Sequence, residues 1–208
     1  MIKTNVLGVR YLANAGEALC AGLGIPKGYP SLALITADSD DPTYIALDEA
    51  TKAADVVVAY AHSFYAGAGN ASTPLAGEVI GILAGKTPGA VRSGMDAVLS
   101  ALERVGFADV GVPCLAHTVS SCGSFLAKEA GVKESSALAY LIAPPLESMY
   151  GLDAALKAAD VKLCKLYSPP TETNFGGALL TGTQSACSAA AAAFLATVTE
   201  VAQNPINR

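Results

Sequence analysis

LDEATKAADV, at residues 47–56, recurs as LDAALKAADV at residues 152–161, an offset of about 105 in a chain of 208 residues. The likeness extends upstream at the same offset, where Ser31 opens SLALI and Ser136 opens SALAY. Gly24 and Gly131 align with a slip of two residues. A self-similar stretch of this length indicates a duplicated structural unit, so the sequence predicts two copies of one domain.

The two copies differ in the length of one loop. Downstream of the first match, GEVIGILAG ends at Gly85 and its counterpart GGALLTG ends at Gly182, so the offset falls to about 97. The first copy therefore carries the longer loop between these segments. We expect one domain over residues 1–104 and a second over residues 105–208, each of ordinary domain size.

Each copy has the pattern strand, helix, strand, helix, strand, strand, helix. Short aliphatic or β-branched runs predict strands, and apolar residues at helical spacing predict helices. The predicted strands of the first copy are at 32–37, 55–61 and 78–83, its helices at 44–54 and 88–103, and the last helix of the second copy at 184–202. This alternation favours an α/β (α+β) fold in which helices flank a small, mostly antiparallel sheet.

The composition favours a protein that associates with itself. Hydrophobic residues make up 52% of the chain and charged residues 15%, so little charge is present to cover the exterior. Some apolar surface is then expected to be covered by other subunits. The net charge of -5, with 13 scattered basic residues, favours neither nucleic acid nor an anionic membrane as a partner.

The sequence also bears on location. The N-terminal residues lack a signal-peptide pattern, so we expect a cytoplasmic protein. The apolar run at residues 186–198 is shorter than a membrane span and contains Ser188 and Thr197, which favours a buried helix. The cysteines show no CxxC pairing, and a reducing compartment favours their role as small core residues. They are Cys20, Cys114, Cys122, Cys164 and Cys187.

Three long stretches carry a resemblance to a known family. They read ITADSDDPTYIALDEATK at 35–52, YLIAPPLESMYGLDAALK at 140–157 and PPTETNF at 169–175. With these segments the chain resembles the shell proteins of the bacterial ethanolamine-utilisation microcompartment. The resemblance implies two tandem, circularly permuted microcompartment domains. It also implies a homotrimer, shaped as a pseudo-hexameric tile, that joins other shell proteins in a microcompartment in the cytoplasm.

The resemblance implies a structural role in controlled permeability, with a gated central pore and small pores within each subunit. A cobalamin cofactor is implied as bound or transported cargo, and no cofactor is required. No Ser or Cys is tied to a base by its spacing, and neither GxxxxGKS/T nor GxGxxG is present for phosphate. We therefore expect a shell protein and not an enzyme.

An acidic segment, DSDD at residues 38–41, lies between a predicted strand and a predicted helix. Asp and Ser at such a position cap the first helical turn and suit the helix dipole. They also suit a ligand site, because the ammonium of ethanolamine needs carboxylate acceptors. Glu78, at the start of a strand, offers a further carboxylate.

In the second copy a loop begun by proline presents a carboxylate, a hydroxyl and an amide, a composition that is equally usual in turns. The resemblance selects the ethanolamine-binding residues of the small pore from these two regions. They are Asp40, Asp41, Glu78, Glu172, Thr173 and Asn174.

The loops that follow Ser63 and Ser168, which correspond in the repeat, are the predicted pore loops. Gly67 and Gly69 lower the steric cost of alternative backbone states, as a gate requires, although a plain flexible loop has the same composition. The predicted pore residues are Ser63, Phe64, Tyr65, Ala66, Gly67, Ala68, Gly69 and Asn70 in the first copy and Ser168, Pro169, Pro170, Thr171 and Phe175 in the second.

His62 and His117 are the only histidines, which excludes a His-rich catalytic site. The resemblance implies that His117 and Glu147 bind zinc. Two protein ligands are too few for a structural site unless another chain contributes, so an ordinary histidine is the alternative.

Three other functions stay open. One is a tandem shell protein of a propanediol or ethanol microcompartment, against which the DSDD and TETN segments argue. A second is an enzyme on a duplicated α/β scaffold. The third is a small-ligand-binding protein that never assembles.

Overall fold

The structure is a computed structural model that describes residues 1–65 and 77–206. The first half of the chain begins with a short strand, β1, and then runs strand, helix, strand, helix, strand, strand, helix. Its elements are β1 (Ile2–Lys3), β2 (Val6–Leu12), α1 (Glu17–Gly22), β3 (Ser31–Ala37), α2 (Asp40–Ala53), β4 (Val56–Ser63), β5 (Val79–Gly85) and α3 (Pro88–Leu102).

The second half repeats that seven-element order after one extra strand, β6. Its elements are β6 (Gly106–Asp109), β7 (Pro113–Val119), α4 (Ser124–Ala130), β8 (Ala137–Ala143), α5 (Pro145–Ala158), β9 (Val161–Tyr167), β10 (Gly176–Gly182) and α6 (Gln184–Gln203). The predicted α/β fold, with helices against two largely antiparallel sheets, is confirmed.

Each half has its own sheet, except that β1 of the first half joins the sheet of the second half. The four-stranded sheet has the order β2-β3-β5-β4 and the six-stranded sheet the order β1-β6-β7-β8-β10-β9. In the first, β3 pairs antiparallel with both β2 and β5. In the second, β8 pairs antiparallel with β7 and β10. The strands that share the centre of each sheet are thus equivalent in the repeat.

Alternation along the strands divides side chains between the two faces of each sheet. In β3, Ala33 and Ile35 belong to a core shared with α2 and α3. Met95 and Val98 of α3 are fully buried in this core. Leu32 belongs to a second cluster on the opposite face. In β8 all seven residues are buried, so the centre of the larger sheet reads as a continuous apolar run.

The last helix of each copy begins in the same way. Thr87 precedes α3 and its side chain accepts the N–H of Ala90. Thr183 precedes α6 and its side chain accepts the N–H of Ala186. Pro88 occupies the first turn of α3, where its missing N–H has no cost.

Two irregularities also repeat. The ladder between β4 and β5 shifts register between Val58 and Tyr60, and the ladder between β9 and β10 shifts between Leu163 and Lys165. Gly24 and Gly131, after α1 and α4, have φ of 67° and 65°, the left-handed conformation that glycine adopts at helix ends. The repeat therefore extends to bulges and turns.

The chain divides into two compact units. The N-unit holds residues 3–105 together with 123–126, and the C-unit holds residues 1–2, 106–122 and 127–208. Most of each unit is one half of the chain. The four residues 123–126 are the internal exception.

The structure differs in detail from the sequence expectations. Helix α2 begins at Asp40, before the predicted start at Tyr44. Ser31 pairs with Gly85 and Ala137 pairs with Gly182, so the structural equivalent of Ser31 is Ala137 and not Ser136. The shift of one residue is compensated before α2, where Asp38 is an extra residue in the first copy. Cys114, Cys122 and Cys187 are buried as expected, but the expectation is wrong for Cys20 and Cys164, which are partly exposed.

Among the described residues one helix, α6, has the length and composition of a membrane span. Cys187, Ala190, Phe194 and Val198 of that helix are fully buried in the core of the C-unit. Four core residues at this spacing form the apolar stripe of a core helix.

Candidate functional site

The acidic segment at the start of α2 divides into two parts. Asp38 is exposed, and its carboxylate accepts the backbone N–H of Asn5 at 2.7 Å and the side-chain amide of Asn5 at 2.6 Å. Asp40 and Asp41 are buried in the first turn of α2, where Asp40 Oδ1 accepts the N–H of Asp41 at 2.8 Å. Asp38 therefore joins β3 to the segment before β2, while the two buried aspartates place negative charge at the helix start.

Glu78 lies beside this helix turn because of the residue that precedes it. A Cβ on Gly77 would lie 2.0 Å from the carbonyl oxygen of Ala37, so only glycine lets the chain pass there. The N–H of Glu78 then donates to that same carbonyl at 2.8 Å. The end of β3 and the start of β5 are held together, which brings Glu78 toward Asp38 and Asp40.

The surroundings of Glu78 change the titration of its carboxyl group. Burial, followed by the negative charges of Asp40 and Asp38, raises the pKa of Glu78 from its ordinary 4.5 to about 7. A carboxyl group with this pKa is about half protonated at neutral pH. We call Asp40, Asp41 and Glu78 the acidic cluster, and its chemistry suits a bound cation.

The other predicted ligand residues lie in the C-unit, in the loop between β9 and β10. Thr173 is buried, whereas Glu172 and Asn174 are exposed. Asn174 has a φ of 67° and its N–H donates to the carbonyl of Thr171 at 3.0 Å. Thr171 also accepts from the N–H of Phe175 through its hydroxyl, at 3.3 Å. The loop is a hydrogen-bonded turn that presents a carboxylate and an amide.

The described part of the first pore loop continues from β4. The Ser63 hydroxyl lies 2.5 Å from the hydroxyl of Tyr44, and the N–H of Phe64 donates to the carbonyl of Glu78 at 2.9 Å. Tyr65 is 54% exposed. The predicted pore residues Ala66, Gly67, Ala68, Gly69 and Asn70 lie outside the described residues.

In the second pore loop, Ser168 and Pro170 are exposed and Pro169 and Thr171 are partly buried. Phe175 is half-buried, with its ring centroid 5.7 Å from that of Phe107. This loop is thus attached to the C-unit at both of its ends.

The predicted zinc ligands are both half-buried residues of the C-unit. His117 lies in β7 opposite Tyr140 of β8, and Glu147 lies in the first turn of α5. Within residues 1–65 and 77–206, no group of three or more His, Cys, Asp or Glu side chains is placed to hold a metal ion. Because structural zinc takes four ligands, these residues do not fit a zinc site within one chain.

One buried polar cluster in the N-unit was not predicted from the sequence. Asp48 is fully buried, and its two carboxylate oxygens accept the N–H groups of Gly123 at 2.6 Å and Leu126 at 2.8 Å. The Thr51 hydroxyl accepts the N–H of Ser124 at 3.1 Å. Asp48 stands in the repeated segment, and Asp153 has the same neighbours Leu, Ala, Lys and Ala at equivalent positions, so the repeat does not show which of the two is buried.

Comparisons with known proteins agree with this fold. The family model described as "BMC domain" matches residues 31–112. The bacterial microcompartment shell protein EutL of Clostridium perfringens is 58% identical over 211 residues, covering 99% of this chain and 97% of the relative.

Solved structures are similar over the same length. The crystal structure of the ethanolamine utilization protein EutL from Leptotrichia buccalis has a TM-score of 0.96 and 54% identity, covering 100% of this chain and 98% of the other. A trimeric bacterial microcompartment shell protein, PduB, has a TM-score of 0.80 at 20% identity, covering 96% and 89%, which shows the fold alone. The chain therefore belongs to the EutL family of bacterial microcompartment shell proteins, a structural family and not an enzyme family.

Proposed function

We propose that three copies of the chain form one tile of the ethanolamine-utilisation microcompartment shell. The tile is a pseudo-hexamer around a central pore. The observation that carries the proposal is the full-length likeness to EutL proteins, together with the seven-element order that occurs twice in the chain. We assign the domains to residues 1–104 and 105–208. A trimer of such a chain presents six similar domains, and other shell proteins are its neighbours in the shell.

The acidic cluster is the proposed ethanolamine site of the N-unit. Asp40 and Asp41 are each 6% exposed, and burial with like charge holds the pKa of Glu78 near 7. A bound ammonium relieves this repulsion and forms charge-assisted hydrogen bonds with the carboxylates. Binding of a cation is therefore coupled to release of a proton from Glu78.

The turn at residues 172–174 is a separate proposal for the C-unit. Glu172 supplies a carboxylate, and Thr173 and Asn174 supply groups that hydrogen-bond a hydroxyl. Their contribution is tested by their own variants, independently of the acidic cluster.

The loops after Ser63 and Ser168 are the proposed gate of the central pore. The Ser63 hydroxyl is hydrogen-bonded to that of Tyr44, and the Phe64 N–H donates to the Glu78 carbonyl. A ligand at Glu78 is therefore next to the residues where this loop begins. A ligand shifts the gate only to the extent that it binds one state better than the other.

Calorimetry with ethanolamine tests the site. We expect the wild type to bind, and Asp40→Ala and Glu78→Ala to bind at least about tenfold more weakly, because each removes a charged acceptor. Asp96→Ala, an exposed aspartate of α3, is the matched control and should bind as the wild type does. Equal binding by all four proteins overturns the assignment.

Sedimentation and electron microscopy test the tile. Trimers in solution and hexagonal layers on a grid support it. A strict monomer that binds ethanolamine supports the alternative, a small-ligand-binding protein that does not assemble.

A further inference from the structure

One contact inside the N-unit has no counterpart among residues 1–65 and 77–206, although the residues for a counterpart are present. Segment 123–126 packs against α2, where the Asp48 carboxylate accepts the N–H groups of Gly123 and Leu126. The Tyr44 and Phe125 rings lie 6.0 Å apart at the same place. This contact joins a piece of the second copy to a helix of the first.

The first copy contains an equivalent of segment 123–126. Gly24 and Gly131 have nearly equal positive φ, and the turn before each closes in the same way. The N–H of Ile25 donates to Cys20 at 2.9 Å, and that of Val132 donates to Ala127 at 3.0 Å. Residue 16 lies eight residues before Gly24 and residue 123 lies eight residues before Gly131, so residues 16–19 are equivalent to residues 123–126. Gly16 therefore corresponds to Gly123 and Leu19 to Leu126.

The second copy contains an equivalent of the α2 face. LDEATKAADV and LDAALKAADV equate Asp48 with Asp153, Thr51 with Leu156 and Ile45 with Tyr150. Both helices end just before a strand that has the same bulge. The α5 face is therefore built on the same plan as the α2 face.

Residues 16–19 and the α5 face are exposed to solvent, whereas segment 123–126 and the α2 face cover each other. Leu126 is 1% exposed but Leu19 is 48% exposed, and Ile45 is 1% exposed but Tyr150 is 55% exposed. A Cβ on Gly123 would lie 2.2 Å from Thr51 Oγ1, whereas a Cβ on Gly16 would meet nothing within 4 Å. A groove lined by Tyr150, Asp153, Lys157, Thr197 and Glu200 runs along the open α5 face.

We propose that the α5 face of one chain docks residues 16–19 of a second copy, with the Asp153 carboxylate accepting the N–H groups of Gly16 and Leu19. The proposal rests on the proposed trimer and specifies its contact. Each chain carries one face and one segment, so the contact is head-to-tail, the kind that closes into a ring. The partner is a second copy, because the template for this contact in the described part of the chain is its own α2 face with its own segment 123–126.

The contact between chains differs from its template in two ways. Leu156 replaces Thr51, so the hydrogen bond to the N–H of Ser124 has no equivalent and apolar area takes its place. Asp153 is paired with Lys157 at 2.6 Å, an exposed pair that is weak and easily exchanged for the new bonds.

A matched pair of glycine variants tests the contact by sedimentation velocity. Gly16→Leu should fold as the wild type does but sediment as a monomer, because the side chain has open space in one chain and none in the docked state. Gly22→Leu is the control and should stay trimeric, because its equivalent, Glu129, already carries a long side chain. Asp153→Asn should raise the trimer dissociation constant by about tenfold or more, since two charge-assisted hydrogen bonds are weakened.

Cysteine cross-linking gives a positive readout that does not depend on a loss of assembly. Gly16→Cys combined with Leu156→Cys should form disulfides between chains under mild oxidation, giving dimer and trimer bands on a non-reducing gel. Each single variant controls for the native cysteines and should give no such bands.

The outcomes separate this inference from the proposed trimer. A trimeric wild type whose Gly16→Leu and Asp153→Asn variants stay trimeric, without cross-linking of the cysteine pair, overturns the contact and leaves the trimer standing. A wild type that is monomeric at all concentrations overturns both.

Discussion

Asp48 and Asp153 occupy the same position in the two copies of the repeat, yet one is fully buried and the other is exposed. Asp48 accepts two backbone N–H groups from segment 123–126, whereas Asp153 forms an ion pair with Lys157 on the same helix. The same residue at equivalent positions of the repeat thus has two roles, which depend on whether a second segment covers it.

Asp48→Asn should lower the free energy of unfolding by about 2–3 kcal/mol, because an amide cannot accept both N–H groups and turns a donor toward one of them. Urea unfolding measures this loss. Asp96→Asn, at an exposed position of α3, is the control and should change stability by less than about 0.5 kcal/mol. Equal stability of the two variants would contradict the assigned role of the Asp48 carboxylate.

Gly24→Ala and Gly131→Ala should each cost about 1–2 kcal/mol, since both glycines have positive φ that a Cβ disfavours. Thermal unfolding should show a lower melting temperature for each. Gly22→Ala, inside α1 with open space around it, should leave stability unchanged or raise it. The prediction fails if Gly22→Ala is the most damaging of the three.

Glu78→Gln should stabilise the protein at pH 8 but not at pH 4.5. The folded pKa of Glu78 lies near 7, above its ordinary 4.5, so the stability that its proton contributes is complete below pH 4.5 and is lost as the pH rises through 7. After allowance for the half-exposed position, we expect a gain of about 1–2 kcal/mol at pH 8. Urea unfolding at both pH values checks this, with the exposed Glu103→Gln as control. An equal gain at both pH values would exclude titration of Glu78 as its cause.

Ethanolamine affinity should rise about tenfold between pH 6 and pH 8, because the ionised fraction of Glu78 rises by about that factor around a pKa near 7. Calorimetry in two buffers of different ionisation enthalpy should also detect the released proton. Glu78→Gln should bind weakly and lose this pH dependence. A variant that keeps the full dependence would place the titrating group elsewhere.

Native thiol labelling should modify Cys20 and Cys164 before Cys114, Cys122 and Cys187, which are buried. Burial also raises the pKa of Cys114 to about 12, which keeps that thiol protonated and unreactive. Mass spectrometry of the labelled peptides measures the order. Denatured protein is the control, where all five should react, and early labelling of Cys114 would contradict its position in the core.

Much of the fold could be predicted because it is local. The LDEATKAADV repeat, the aliphatic runs of β3 and β5 and the proline in the first turn of α3 are all signals carried by neighbouring residues. Their periodicity predicts element type and the duplicated order. The predicted start of α2 is wrong because Asp and Ser are typical of the position before a helix, whereas here Ser39 takes that position and Asp40 and Asp41 lie in the first helical turn.

The candidate site could be predicted only as a set of residue types. Asp40 and Asp41 are neighbours in the sequence, but Glu78 lies 37 residues after Asp41, and no sequence pattern indicates that Glu78 shares a charge environment with Asp40. The close passage of Gly77 over the Ala37 carbonyl brings Glu78 toward Asp40, and burial together with the charges of Asp40 and Asp38 raises the pKa of Glu78.

The sequence by itself determined the duplication, the element order and the family, since each follows from local periodicity and from matches along the whole chain. Only the tertiary structure decided which copy of a repeated residue is buried. Asp48 is covered by segment 123–126 and Asp153 is open to solvent, because burial depends on what packs over a helix and not on the helix's own sequence.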